Sequence, residues 1–329
     1  MTTENHPHEL ESAPVPARLS AARLRELSRI EDSRAAAAIA SEWLAICAAI
    51  AICSWRSHWA LDIVGVVFVG ARQHALLVLA HDASHFRLFS RRWANEWLGN
   101  LLLAWPLFVT VEGFRHFHGR HHRFLATEQD GNRVLWSTHT PEGALSREWT
   151  YPKSPLQLAW TVLRRSLLWT GVLWVLRGLV GGFWYAESRV NSLARGVFLL
   201  ALAAAFTLFG AWKFVLLYWF LPYCTWHVAI QYVRLICEHS NTHAPAPYHL
   251  TRTTLPTLLE SMFVLPRNIG YHLAHHWYPS VPFYRLPELH AALLENPDYA
   301  ARAPIFSSVR ASLRDVIAPV DRQGSFPRS

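Results

Sequence analysis

The sequence predicts an all-α membrane protein: four transmembrane helices in two hairpins, with a helical cap on the cytoplasmic side. Three observations predict it. Apolar residues bunch into runs near the ~20 residues that a helix needs to cross the hydrocarbon core. Basic residues concentrate on one side of those runs, which fixes orientation. Histidines gather in three clusters, all on that basic side. The composition agrees. Of 329 residues, 52% are hydrophobic and 16 are Trp, while only 16% are charged, against ~25% in an ordinary soluble domain.

Residues 1–17, rich in Pro, Glu and His, read as disordered. Residues 18–34 read as an amphipathic basic helix able to rest on anionic lipid. The head 1–34 has no apolar h-region, so no cleavable signal peptide is expected. The first hairpin follows, with spans expected over 35–53 and 61–80. The stretch 97–111 (WLGNLLLAWPLFVTV) is shorter and carries Pro106, which suits an interfacial or re-entrant helix. The stretch 157–185 is apolar but interrupted by Arg164, Arg165 and Arg177, and reads as a helix along the interface, with a full span as the alternative. Spans over 193–212 and 214–237 form the second hairpin. The expected membrane domain therefore covers 35–295, and 296–329 is a cytoplasmic tail.

Of 31 Lys and Arg, five precede the first span, 14 lie in 81–195 and nine lie from Arg234 onward. The two short links hold only Arg56 and Lys213. This asymmetry places both termini and the central segment in the cytoplasm. Arg72 falls inside the second span, where a charge must face protein or a polar cavity. The net charge of +8 follows from this topology, so nucleic-acid binding is not required. Cys47, Cys53, Cys224 and Cys237 form no CxxC pair and read as buried reduced thiols.

Three of the chain's histidine clusters carry chemistry: HDASH (81–85), HGRHH (118–122) and HLAHH (272–276). A helix turns about 100° per residue. His81 and His85 thus share a face, as do His118, His121 and His122, and likewise His272, His275 and His276. His116 points about 160° away from His118. Imidazole is a good ligand for Zn, Fe, Cu or Ni. Eight convergent imidazoles exceed the needs of one metal, since zinc takes about four ligands. The cap therefore is expected to hold a histidine-rich di-metal site with open positions. His239, in RLICEHS, is a ninth candidate, and His243 lies four residues on, near Pro245. His58, His74, His116, His139, His227, His249 and His290 read as structural.

These three motifs, with the context NIGYHLAHHWYPSVPFYRLPELH (268–290), resemble the membrane fatty acid desaturase superfamily, in particular its bacterial branch. The similarity runs from about residue 36 to about residue 295. The resemblance implies an O2-dependent acyl desaturase with two non-haem irons, bound in the bacterial inner membrane. It implies that His81, His85, His118, His121, His122, His272, His275 and His276 ligate the irons, with His239 as ninth. A ligating imidazole usually gives its outer N–H to a carboxylate or carbonyl. Asp82, Glu112, Asp130 and Glu238 are the nearest acids, and Asn268, four before His272, could share its helical face. Each acid can equally be a solvated charge. Arg72 and Gln73 could line a passage from bilayer to metals.

The first box holds three residues between its histidines, where some animal acyl-CoA desaturases have four. No HPGG motif occurs, so a fused cytochrome b5 domain is not expected. Electrons would come from a separate carrier, such as ferredoxin with its reductase, docking on the basic face. The substrate would be a lipid or acyl thioester. Rival readings are a lipid or carotenoid hydroxylase or ketolase of the same fold, a membrane zinc hydrolase, and a metal transporter. The transporter would want ionisable ligands within the spans, whereas these boxes lie at or beyond span ends.

Overall fold

The computed structural model describes residues 18–56, 58–125, 127, 129–132, 148–184, 188–240, 248 and 250–317. The expected disordered head 1–17, most of the stretch after His239 and the end of the tail lie outside the described residues. Among the described residues the chain is mostly helical.

The 18–34 segment is two pieces, where one amphipathic helix was expected. Helix α1 (Ala21–Leu27) is capped by Ser20, and α2 (Asp32–Arg56) starts afresh. Leu27 is fully buried in a cluster with Tyr248, Leu273 and Leu289, so the apolar side of α1 docks on the cap. Helix α3 (Trp59–Ser84) returns antiparallel to α2, and the His58 ring accepts the Ala60 N–H at its start. On α2 the buried residues are Ala35, Ala38, Ile39, Glu42, Ile46 and Cys53. Their three-to-four spacing is one helix face, turned toward α3.

The 97–111 stretch is an elbow. Helix α4 (Arg92–Gly99) passes through a π turn (Asn100–Ala104) and a 3-10 turn (Trp105–Leu107). The chain turns at Phe108, whose φ is 60. Helix α5 (Val111–Arg123) then leaves at 88° to the first arm. Pro106 cannot donate to the helical ladder, which is why the regular winding ends there. The Asn100 side chain accepts the Val111 N–H at 2.9 Å and braces the elbow.

The 157–185 segment, expected as one interfacial helix, is two helices. These are α6 (Pro155–Arg165) and α7 (Leu168–Trp184). The Ser166 N–H turns back to the Val162 and Leu163 carbonyls, closing α6. Helix α7 packs tightly on the last helical run. A Cβ on Gly171 would come within 2.0 Å of the Cys224 carbonyl oxygen.

Helix α8 (Arg189–Leu208) ends before the expected 212, and Gly210 (φ 62) makes the turn. The final run begins with α9 (Trp212–Val215), winds through π turns at Leu216–Phe220 and Tyr223–His227, and ends with α10 (Val228–His239). A regular helix was expected over 214–237. Pro222 sits between the two π turns; its missing N–H and its ring displace the ladder there. Three described helical stretches are long and apolar enough to cross a membrane, Ala21–Arg56 (α1 and α2 taken together), Trp59–Ser84 and Arg189–Leu208, or four if the bent α4–α5 pair counts as one. The π-wound final run is not one of these.

The cap contains α11 (Leu258–Phe263), α12 (His272–Trp277), α13 (Leu286–Leu294), α14 (Pro297–Arg302) and α15 (Val309–Ile317). Two short parallel strands, β1 (Thr253–Thr254) and β2 (Ile305–Phe306), tie it together.

Candidate metal centre

Four helices deliver imidazoles to one place. His81 lies near the C-terminal end of α3 and His85 is its C-cap. His118, His121 and His122 occupy the last turns of α5. His239 is the last residue of α10. His272, His275 and His276 belong to α12. The nine divide into two groups: His81, His85, His118, His122 and His275 in one, and His121, His239, His272 and His276 in the other. Within each group the donor atoms lie within 4.8 Å of one another. The groups adjoin, for the His122 and His276 rings stack across them with centroids 4.2 Å apart.

The spacing of the donor nitrogens is that of a coordination edge. Two ligands about 2.1 Å from a metal and at right angles to each other stand about 3.0 Å apart. In the four-histidine group the Nε2–Nε2 distances are 3.1 Å for His121–His239, 2.8 Å for His272–His239 and 3.0 Å for His276–His272. In the other group His122–His118 is 2.9 Å. The Nε2 atoms of His81, His85 and His275 are buried and have no protein partner. A buried ring nitrogen left unpaired is costly, and a metal would satisfy all three.

Three of the outer nitrogens have partners that fix the tautomer. His121 Nδ1 meets Asp130 Oδ1 at 2.9 Å, and His239 Nδ1 meets the Leu250 carbonyl at 3.1 Å. His81 Nδ1 lies 3.3 Å from Asp82 Oδ1. In each case Nδ1–H donates outward and Nε2 is left for the centre. Sequence reasoning found the two acids but not the Leu250 carbonyl, since any backbone oxygen is invisible in a residue pattern.

The other expected acids are placed differently. Glu238 accepts from Arg234 Nε at 2.6 Å through Oε1, and its Oε2 lies 3.6 Å from His272 Nε2, on the donor side of that ring. Glu112 accepts from the Asn191 side chain of α8. Asn268 does not share a helical face with His272. It lies in a turn ahead of α12 with φ 60, and its amide donates to the Phe283 carbonyl at 3.1 Å. Asparagine tolerates the left-handed region better than most residues, so the turn replaces the expected extra helical turn. Arg72 pairs with Glu42, and the Gln73 amide donates to the Trp219 carbonyl.

His58, His74, His116, His227 and His290 lie outside both groups. His116 is exposed, as its helical angle requires. His139, His243 and His249 lie outside the described residues.

Burial, reinforced by the neighbouring imidazoles, pushes His272, His275 and His276 well below the usual histidine range. Burial, aided by Arg87 and Arg115, pushes His85 down to about 4. These rings are held neutral, the form a metal requires. A donor set made of imidazole suits a first-row transition metal and not Mg or Ca.

Residues 57–308 match the family model described as fatty acid desaturase. The dihydrorhizobitoxine desaturase of Bradyrhizobium elkanii is 26% identical over 274 residues, covering 78% of this chain and 74% of the relative. The sn-1 oleoyl-lipid 12-desaturase of Anabaena variabilis is 27% identical over 260 residues, with coverage of 72% and 70%. The sphingolipid delta(4)-desaturase/C4-monooxygenase DES2 of Homo sapiens is 28% identical over 240 residues, with coverage of 71% and 64%.

Proposed function

We propose, on the premise that this chain belongs to the fatty acid desaturase family, that it is a membrane oxidoreductase placing a double bond in an acyl chain at a histidine-held di-iron centre. One iron would be held by His81, His85, His118, His122 and His275, the other by His121, His239, His272 and His276. The observation that carries this reading is the sorting of nine imidazoles into two adjoining donor sets. When bound, the iron pair supplies dioxygen activation for attack on an unactivated C–H bond. Two hydrogens leave the acyl chain, and with two further electrons and two protons dioxygen becomes two waters.

The chain's own residues do the rest. Asp130, the Leu250 carbonyl and Asp82 hold protons on outer nitrogens and keep the donor lone pairs inward. The buried walls around His81, His121, His272 and His275 keep bulk water from the centre. Both α3 and the run ending in α10 terminate at the centre, which supports a cap on one membrane face. Four spans (α2, α3, α8 and the run 212–239), both termini cytoplasmic and a bacterial inner-membrane site are the topology we assign. Electrons would arrive from a separate donor such as ferredoxin with its reductase, docking on the arginine-rich cytoplasmic face. Turnover that stays flat across ionic strength with a ferredoxin donor argues against that docking.

The relatives named above act, by their names, on an oleoyl lipid, a sphingolipid and dihydrorhizobitoxine. A lipid or acyl thioester is the proposed substrate class, and the names of the two lipid desaturases support the lipid. The human relative is named for both desaturation and monooxygenation, so hydroxylation of the same chain is the second reading. Lipid profiling by mass spectrometry after expression tests both, with His121→Ala as control. New double bonds absent from the control support desaturation. New hydroxyl groups support the second reading, and an unchanged profile in every acyl pool contradicts both.

A further inference from the structure

Glu42 is a carboxylate buried to 1% exposure within the apolar run of α2. Two guanidiniums close on it. Arg72 of α3 reaches Oε2 at 3.1 Å, and Arg267 donates through Nε to Oε1 at 2.8 Å. Arg72 also donates to the Met262 carbonyl. Arg267 donates further to the Ala38 carbonyl at 3.0 Å and the Ser41 hydroxyl at 2.6 Å.

Fastening α2 to α3 needs Arg72 alone. Arg267 brings in a second element. It and Asn268 are consecutive non-glycine residues with left-handed backbone, φ 54 and 60. Side chains with a Cβ disfavour that region, and such conformations persist only where the surroundings over-determine them. Here the surroundings are visible. Arg267 is gripped by α2, and the Asn268 amide donates to the Phe283 carbonyl at 3.1 Å.

The turn stands at a branch toward the metal centre. Along the chain, His272 follows Asn268 by four residues and opens α12. Across the chain, the Phe283 N–H donates to Asp82 Oδ2 at 2.7 Å, and Asp82 Oδ1 lies 3.3 Å from His81 Nδ1. One contiguous path therefore joins Glu42 to His81 and, along the backbone, to all three histidines of α12.

We propose that Glu42 is a positioning residue for the metal centre. By gripping Arg267 it holds the left-handed Arg267–Asn268 turn, which sets the placement of α12 and, through Phe283 and Asp82, the His81 ring. This rests on the reading of the nine histidines as ligands of two metals.

The test uses the full chain in detergent, loaded with Co(II), whose absorption reports ligation. Release to excess chelator is followed in wild type, Glu42→Leu, Arg267→Leu, the double variant and Arg72→Gln. Circular dichroism and gel filtration monitor the fold. Leucine at either position removes the Arg267–Glu42 hydrogen bond, whereas Glu42→Gln would still accept it. Groups in contact with a metal ligand typically change affinity ten- to a hundred-fold; Glu42 and Arg267 act through the turn, so each Leu variant should release Co(II) about ten-fold faster, the lower end of that range. The double variant should be no more than about two-fold faster than the faster single one, since both break one link. Arg72→Gln leaves the turn gripped and should lower thermal stability while keeping release within about two-fold of wild type. Wild-type release from Glu42→Leu, or single effects that multiply in the double variant, overturns the proposal. If Glu42→Leu does not fold, Arg267→Leu decides. It removes the same grip while Glu42 stays paired with Arg72, and wild-type release from it overturns the proposal. If wild type itself takes up no pair of Co(II) ions, the metal reading fails and the proposal falls with it. A wild type that binds two ions, beside an unaffected Glu42→Leu, removes the positioning role alone.

Discussion

Replacing Asp130 with Ala should weaken one metal site and spare the other. Asp130 is 4% exposed and His121 is fully buried, with Oδ1 and Nδ1 at 2.9 Å. Removing the carboxylate takes a buried hydrogen-bond partner from the ring N–H, a loss that costs about 1–3 kcal/mol. It also frees the ring to turn or change tautomer. Loss of such an outer partner typically lowers metal affinity ten- to a hundred-fold, or about 1.4–2.7 kcal/mol. His121 belongs to the four-histidine group, so the five-histidine group should be unaffected. Competition with a chromophoric chelator during Co(II) titration reads the two affinities separately. The expected result is two equivalents in wild type, with the variant showing one unchanged step and one step weakened ten- to a hundred-fold. Asp130→Asn, which can still accept from Nδ1–H, should lie between. Equal weakening of both steps, or none, refutes the assignment of Asp130 to one group.

Three further outcomes follow from the same geometry. His116→Ala should keep full metal content, because His116 is exposed and outside both groups, whereas His121→Ala should abolish activity; metal analysis and product assay on the two variants check this, and like behaviour sinks the helical-face argument. Stability of the metal-free protein should fall with acid. Folded His85, His272, His275 and His276 all have pKa values below the unfolded value near 6.5, so the unfolded chain takes up protons first. The stabilisation is present above about pH 6.5 and is lost as the pH falls toward 4. A thermal midpoint that is flat over that window contradicts the neutral cluster. Gly171→Ala should loosen α7 from the final helical run, because its Cβ would overlap the Cys224 backbone; overpacking typically costs about 1–3 kcal/mol, and an unchanged thermal midpoint argues against this contact.

The sequence carried the first hairpin well, because α2 and α3 are regular and their hydrophobic spacing is complete. It did not carry the π turns around Pro222, since apolar residues look alike whichever ladder they wind. The break at Ser166 was equally hidden, because no Gly or Pro separates the amphipathic α6 from the apolar α7. For the site, one-faced clusters identified eight of the nine histidines that converge, and His239 entered separately as a ninth candidate at the end of the last span. Their division between two groups was not drawn, although a signal existed. Residues four apart lie on one face more closely than residues three apart. His81 and His85, His118 and His122, and His272 and His276 each share a group, while His121 and His275 cross to the other. Which pairs meet across helices needs the tertiary arrangement. Asn268 was assigned to a helix because spacing alone cannot foresee two left-handed residues held by partners as distant as Glu42 and Phe283.

The central claim is that nine histidines hold two irons. Quantifying iron and zinc per chain by mass spectrometry, in protein purified from iron-replete cells, tests it most directly. About two irons per chain are expected, retained in His116→Ala and lost from the four-histidine site in His239→Ala. One zinc per chain with no iron would contradict it and favour a hydrolase.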